Sequence, residues 1–178
     1  MKTDADKSRF LSLVLRHDPA KIGLTLDAKG WVAVDSLLTA LPFPLDHAGL
    51  EKLVRDSDKQ RFALSADGRM IRANQGHSLP VDLALPSVAP PGVLYHGTIE
   101  KFMPSILIRG LVKGDRHHVH LSATLDTAQQ VGSRRGAPVI LAIAAEGMAA
   151  AGHIFFRSEN GVWLTDHVPP QFLTRVTD

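Results

Sequence analysis

The sequence predicts an α+β protein built in two lobes, from three observations. Amphipathic helical segments followed by a two-stranded hairpin pattern fill the first half. Pro80, Pro86, Pro90 and Pro91 then stiffen the chain, placing a linker at 86–91 between a first lobe over 1–85 and a second over 92–178. The second half alternates short apolar strands with loops and small helices.

Taken in order, Thr3-Asp4-Ala5-Asp6 resembles a capping box, with Phe10, Leu13, Val14 and Leu15 forming an apolar face behind it. Pro19 disfavours helix at Asp18, so this helix ends near His17. Arg16 and His17 then sit at a C-terminus, where the helix dipole favours cations. Leu24-Thr25-Leu26 alternates like a strand, and Asp27-Ala28-Lys29-Gly30 is turn chemistry before a second strand, Trp31-Val32-Ala33-Val34. Asp35 is expected to cap a helix through Leu41, and Asp46 another that carries Leu50, Leu53 and Val54 on one face. Arg61-Phe62-Ala63-Leu64 and Met70-Ile71-Arg72-Ala73, joined by Ser65-Ala66-Asp67-Gly68, read as a β-hairpin. Helices followed by such a hairpin outline a winged-helix module, a fold that by itself does not establish nucleic-acid binding. The polar run Asn74-Gln75-Gly76-His77-Ser78 suits a ligand-lining loop or an exposed connector.

In the second lobe Val93-Leu94-Tyr95 reads as a buried strand with His96-Gly97-Thr98 at its end. Gly97 has no Cβ and would let backbone approach a ligand closely. A helix is expected over 102–109, with Phe102, Ile106 and Leu107 inward and Gly110 as its stop. If Arg116-His117-His118-Val119-His120-Leu121-Ser122 is a strand, Val119 and Leu121 face one way and His118, His120 and Ser122 the other. A short helix over 126–131 leads to the basic turn Gly132-Ser133-Arg134-Arg135-Gly136. Pro138-Val139-Ile140-Leu141-Ala142-Ile143, His153-Ile154-Phe155-Phe156 and Gly161-Val162-Trp163-Leu164-Thr165 complete the strands. Trp31 and Trp163 are expected in the core, and His47, His117, His153 and His167 have no motif around them.

Composition narrows the function classes. With 178 residues, 44% apolar, the chain can build a core, and the absence of cysteine excludes disulfides and thiolate metal sites and fits a cytoplasmic protein. The N-terminus lacks a signal-peptide pattern, and no apolar run is long enough for a membrane span. A net charge of +2 does not imply nucleic-acid binding, so any anion site must come from arginines focused locally. Three histidines within 117–120 suggest zinc by count, but only His118 and His120 share a strand face and no His-Glu-x-x-His motif occurs, so no metal is expected. Neither a Gly-x-Gly-x-x-Gly nor a P-loop pattern is present.

Six segments in fixed order carry a resemblance: Leu15-Arg16-His17, Ile71-Arg72-Ala73-Asn74-Gln75-Gly76-His77-Ser78, Tyr95-His96-Gly97-Thr98, His118-Val119-His120-Leu121-Ser122, Gly132-Ser133-Arg134-Arg135-Gly136 and Asn160-Gly161-Val162-Trp163-Leu164. Together they resemble the RNA 2′-phosphotransferase family, the NAD-dependent enzymes that finish tRNA splicing. The likeness runs from Leu11 to Val168-Pro169-Pro170. It implies a winged-helix RNA-binding lobe followed by an ADP-ribosyltransferase-like, NAD-binding lobe with a small split β-sheet.

The implied reaction consumes NAD. The internal RNA 2′-phosphate attacks the nicotinamide ribose C1 and expels nicotinamide, giving an ADP-ribosylated RNA 2′-phosphate. The ribose 2-hydroxyl then attacks that phosphate, leaving 2′-hydroxyl RNA and ADP-ribose 1″,2″-cyclic phosphate. The resemblance implies that Arg16, His17 and Arg72 clamp the 2′-phosphate, since arginine offers planar, permanently charged donors to phosphate oxygens. Arg134 is implied in charge stabilisation during transesterification. His17 as a proton shuttle and His17 as a pure phosphate ligand both fit. His96, Gly97 and Thr98 are implied at the nicotinamide ribose, and His120, Leu121 and Ser122 on the second conserved strand. Arg116 is implied at the nucleotide's phosphates or adenosine. Val162 stands where related protein-modifying transferases carry a glutamate, which favours a phosphate acceptor over a protein side chain. Partners are then RNA and NAD, no membrane, with a monomer as the simplest state.

Two other readings compete. A winged-helix regulator would sense NAD without consuming it. A transferase of the same fold would attach ADP-ribose to a terminal phosphate of DNA or RNA.

Overall fold

Thr3 starts the first helix in the way the sequence predicts. Its hydroxyl accepts from the Asp6 backbone N–H at 3.2 Å, and Asp6 Oδ2 accepts from Thr3 N at 3.2 Å, two otherwise orphaned donors satisfied reciprocally. In the computed structural model, which describes residues 3–57 and 60–177, this box opens α1 (Asp4–Arg16). Leu11, Val14 and Leu15 on its inner face are fully buried, each a burial of about 1.5–3 kcal/mol relative to exposure. The chain divides into two compact units, Met1–Ala84 and Leu85–Asp178.

In the first unit α1 stops at His17, and Pro19 begins a short 3-10 helix, Pro19–Ile22. Leu24-Thr25-Leu26 is irregular instead of the expected strand. Asp27 Oδ1 accepts from Lys29 N and Trp31 N, both at 2.8 Å, and this local turn competes with strand pairing. Strand β1 (Val32–Ala33) passes directly into α2 (Val34–Ala40), so Val34 is helical rather than extended. The expected Asp35 cap is also corrected: Ala33 is the cap, and Val34 N donates to Arg69 O at 2.8 Å. Asp35 lies in the first helical turn, 2.7 Å from His47 Nε2. Asp46 caps α3 (His47–Arg55) as expected, accepting from Gly49 N at 2.8 Å. The hairpin forms from β2 (Phe62–Leu64) and β3 (Met70–Ala73), with Phe62 opposite Ala73 and Leu64 opposite Ile71. The antiparallel sheet has the order β1-β3-β2, and its inward Phe62, Ile71 and Ala73 pack with the inner faces of all three helices in one core.

In the second unit β4 (Val93–Ile99) is a single seven-residue strand. His96, Gly97 and Thr98 therefore lie inside it, not in a turn after it. Val93, expected to be buried, is exposed, while Leu94 and Thr98 are buried. The helix expected over 102–109 is a 3-10 turn, Glu100–Phe102, leading into α4 (Met103–Arg109). Ile106 is buried as expected, but Met103 turns inward in place of Phe102, and Leu107 is 66% exposed. Next come β5 (Leu111–Val112), β6 (Val119–Leu121) and α5 (Leu125–Gly132), which Thr124 caps. A 3-10 turn, Ser133–Arg135, precedes β7 (Pro138–Ala144) and α6 (Ala145–Ala150). Strands β8 (Phe155–Arg157), β9 (Trp163–Thr165), β10 (His167–Val168) and β11 (Leu173–Arg175) close the chain.

These strands form two three-stranded antiparallel sheets, β11-β7-β4 and β6-β9-β8, and a two-stranded pair, β10-β5. Tyr95 and Ser122 link the two larger sheets by a pair of backbone hydrogen bonds, Tyr95 N to Ser122 O at 2.8 Å and the reverse at 2.7 Å. The core between them contains Leu94, Leu141, Ile143, Met148, Phe155 and Trp163. The chain is thus α+β with small antiparallel sheets, and among the described residues no helix is long and apolar enough to cross a membrane.

Candidate functional site

In the first unit two of the sequence-predicted cations sit at the end of α1. Arg16 is its last residue and His17 its cap. The loop after β3 is fastened to both: Ser78 N donates to Arg16 O at 3.0 Å, and Ser78 Oγ lies 3.0 Å from His17 Nδ1. Arg16 Nη2 donates to Arg61 O at 3.4 Å, the same carbonyl that receives Asn74 N at 2.9 Å. Asn74 is buried, and its Nδ2 donates to Gln60 O at 2.6 Å. His77 is 1% exposed behind this loop, where a Cβ on Gly30 (φ +79) would lie 3.3 Å from its Nε2. Arg72 projects from β3 with its guanidinium carbon 4.6 Å from the Trp31 ring centroid. Such a cation–π contact contributes roughly 0.5–1 kcal/mol and holds the guanidinium plane over the ring.

In the second unit the two histidines come together across strands. His96, from β4, places Nδ1 3.0 Å from the His120 carbonyl oxygen on β6. A carbonyl can only accept, so His96 Nδ1 carries the proton and donates. Burial pushes the His96 pKa below the ordinary histidine value; the His120 carbonyl opposes the shift, and the Arg116 charge adds to it. A neutral His96 follows, with its Nε2 lone pair as acceptor. Arg116 Nη1 lies 3.2 Å from His120 Nδ1. His118 falls in the bend before β6, outside the strand expected over 116–122, and lies beside Phe156, ring centroids 5.3 Å apart. Its pKa is also lowered, first by burial and then by the His117 and Lys113 charges, against Asp166.

The remaining expected site residues of this unit are placed by the strands and turns around the pair. The Leu121 side chain is 2% exposed and packs in the core, so only its backbone can meet a ligand. Val162 lies in the turn before β9, where its N–H donates to Ser158 Oγ at 3.1 Å. Asn160-Gly161-Val162 is thus not strand. Arg134 is exposed in the 3-10 turn after α5. The absence of a Cβ at Gly97 is already required by the fold: a Cβ there would overlap the Ala128 carbonyl oxygen on α5.

Sequence reasoning missed two relationships. Trp31, read as core, is half-buried and stacks with Arg72, its cross-strand neighbour because Val32 pairs with Ile71. Arg61, at the start of the hairpin, turns back to donate to Ser8 Oγ on α1 at 3.3 Å.

Comparison with known proteins places the chain in a family. Residues 2–167 match the family described as RNA 2′-phosphotransferase, Tpt1 / KptA family. The chain is similar to the "Probable RNA 2′-phosphotransferase" of Nostoc punctiforme, 53% identical over 172 residues, which span 95% of each chain. Its counterpart of that name from Pseudomonas aeruginosa strain PAO1 is 54% identical over 176 residues, 97% of each chain. The one from Agrobacterium fabrum is 53% identical over 174 residues, 96% of this chain and 94% of that one. Likeness at this level over almost the full length means that the chain belongs to the RNA 2′-phosphotransferase, Tpt1 / KptA family and is a transferase.

Proposed function

We propose that the chain removes an internal 2′-phosphate from RNA by transferring it to ADP-ribose, with NAD as a consumed co-substrate. The supporting observation is the gathering of dispersed motif segments into one cationic cluster in the first unit and one histidine pair in the second. The order α1-β1-α2-α3-β2-β3 is read as a winged helix for RNA, and the two linked three-stranded sheets as an ADP-ribosyltransferase-like split sheet.

The residues fit NAD chemically. His96 is neutral with an accepting Nε2, suited to a ribose hydroxyl and free of the repulsion that an imidazolium would exert on a cationic nicotinamide. His96, Thr98, His120 and Ser122 would hold the dinucleotide. NAD supplies a ribose C1 with nicotinamide as leaving group. Arg16, His17 and Arg72 neutralise and orient the RNA 2′-phosphate, a near-dianion whose oxygens are nucleophilic without a carboxylate base. Arg134 stabilises negative charge as the phosphoryl group moves. The products are 2′-hydroxyl RNA, nicotinamide and ADP-ribose 1″,2″-cyclic phosphate.

The test is a short RNA with one internal 2′-phosphate, incubated with and without NAD and analysed by mass. Loss of phosphate only with NAD, alongside the cyclic product, supports the reading. RNA binding without NAD consumption replaces it with a regulator. A stable ADP-ribose adduct on a nucleic-acid end replaces the acceptor.

A further inference from the structure

We infer that Arg116 is a positioning residue: it holds His120 as the Nε2–H tautomer, so that His96 and His120 offer a ligand one hydrogen-bond acceptor and one donor. Only the ligand's identity rests on the proposed function.

The assignment follows from which atoms can donate. Arg116 Nη1 lies 3.2 Å from His120 Nδ1. A guanidinium has donors only and does not lose its proton in a protein, so His120 Nδ1 must accept. An accepting ring nitrogen is bare, which puts the His120 proton on Nε2 in a neutral ring. The second contact works in the opposite sense. His96 Nδ1 meets the His120 carbonyl oxygen at 3.0 Å, and a carbonyl has nothing to donate. His96 is therefore Nδ1–H, and its Nε2 accepts. The two rings are opposite tautomers, and His120 organises both, one through its main chain and one through its side chain.

The Arg116 charge acts in the same direction on the other ring. It lowers the tendency of His96 to protonate, after the larger effect of burial. A single exposed arginine on the loop before β6 thus donates to His120 Nδ1 and disfavours proton uptake by His96. His120 in this state cannot take a proton at Nε2, so it is a hydrogen-bond donor and not a general base. This role differs from the one the resemblance implied for Arg116, direct contact with a nucleotide's phosphates or adenosine. The geometry points inward, to the histidine four residues along the chain.

Two-bond proton–nitrogen NMR of the histidine rings in the ligand-free chain decides the matter, whether or not NAD is the co-substrate. The expected wild-type pattern is bare Nδ1 with protonated Nε2 for His120, and the reverse for His96. In Arg116→Ala the His120 Nδ1 resonance moves toward that of a protonated nitrogen, and Arg116→Lys, which keeps a donor, restores it. A wild-type His120 protonated on Nδ1, or an unchanged spectrum in Arg116→Ala, overturns the assignment. A double-mutant cycle separates the roles. Arg116→Ala and His120→Ala should each lower kcat/KM by about tenfold, the scale of one charge-assisted hydrogen bond. Together they should lower it no further than either alone. Multiplying losses would mean that Arg116 meets the ligand itself, and would overturn the positioning role.

Discussion

Gly97 and Ala128 meet backbone to backbone: a Cβ on Gly97 would overlap the Ala128 carbonyl oxygen and lie 2.8 Å from Gly132 N. Strand β4 and helix α5 can approach this closely only because Gly97 has no side chain. Gly132 extends the same contact, since its own Cβ would lie 3.0 Å from Pro138 Cβ and 3.2 Å from Thr98 O. The turn Ser133–Arg135 follows at once and packs on β4. The glycine pair thus fixes where Arg134 begins.

Gly97→Ala is expected to destabilise the protein by about 1–3 kcal/mol, the range for overpacking a filled site, or more because the obstacle is backbone. Urea unfolding measures it. A midpoint equal to wild type would mean that α5 can move away from β4.

Arg72→Ala should abolish turnover while lowering stability by only about 1 kcal/mol, the scale of its contact with Trp31. Turnover and urea unfolding on the same preparation check both halves. Undiminished turnover would remove Arg72 from the phosphate clamp.

Arg134→Ala should slow the second chemical step more than the first, so RNA carrying ADP-ribose on its 2′-phosphate accumulates in a quenched time course. Untouched RNA in place of that adduct would show that Arg134 acts earlier.

Stability should fall on acidification below about pH 6.5. The folded pKa values of His96 and His118 are both lowered from 6.5, so in that window the unfolded chain binds more protons and stability rises with pH. Asp56, Asp67 and Asp166 are also lowered, with the same sign, but from 3.8, and act only at lower pH. Thermal unfolding between about pH 8 and pH 5 should show the decline, and His96→Gln should reduce its slope. A flat profile in wild type would contradict the burial of these rings.

Local chemistry made much of the fold readable from sequence. Thr3 with Asp6, the Asp46 cap and the Ser65–Gly68 turn act within four residues, and each lies where expected. Nonlocal causes were hidden. Leu24-Thr25-Leu26 alternates like a strand, yet the Asp27 side chain fastens a turn beside it. Gly97 looked like a strand end because its reason for being glycine is a helix thirty residues on. Arg16, His17, His96 and His120 could be picked out by residue type and motif. Their partners could not: Ser78 reaches His17 across 61 positions, and His96 reaches the His120 carbonyl across 24. Trp31 met Arg72 only once strand register was fixed.

The most direct measurement follows the phosphorus atom. An RNA labelled with radioactive phosphorus at one internal 2′-phosphate is incubated with NAD, and the small products are separated. Transfer predicts that the label leaves the RNA in ADP-ribose 1″,2″-cyclic phosphate, matched one for one by released nicotinamide. Label recovered as inorganic phosphate, with NAD intact, would contradict transfer and make the reaction a hydrolysis.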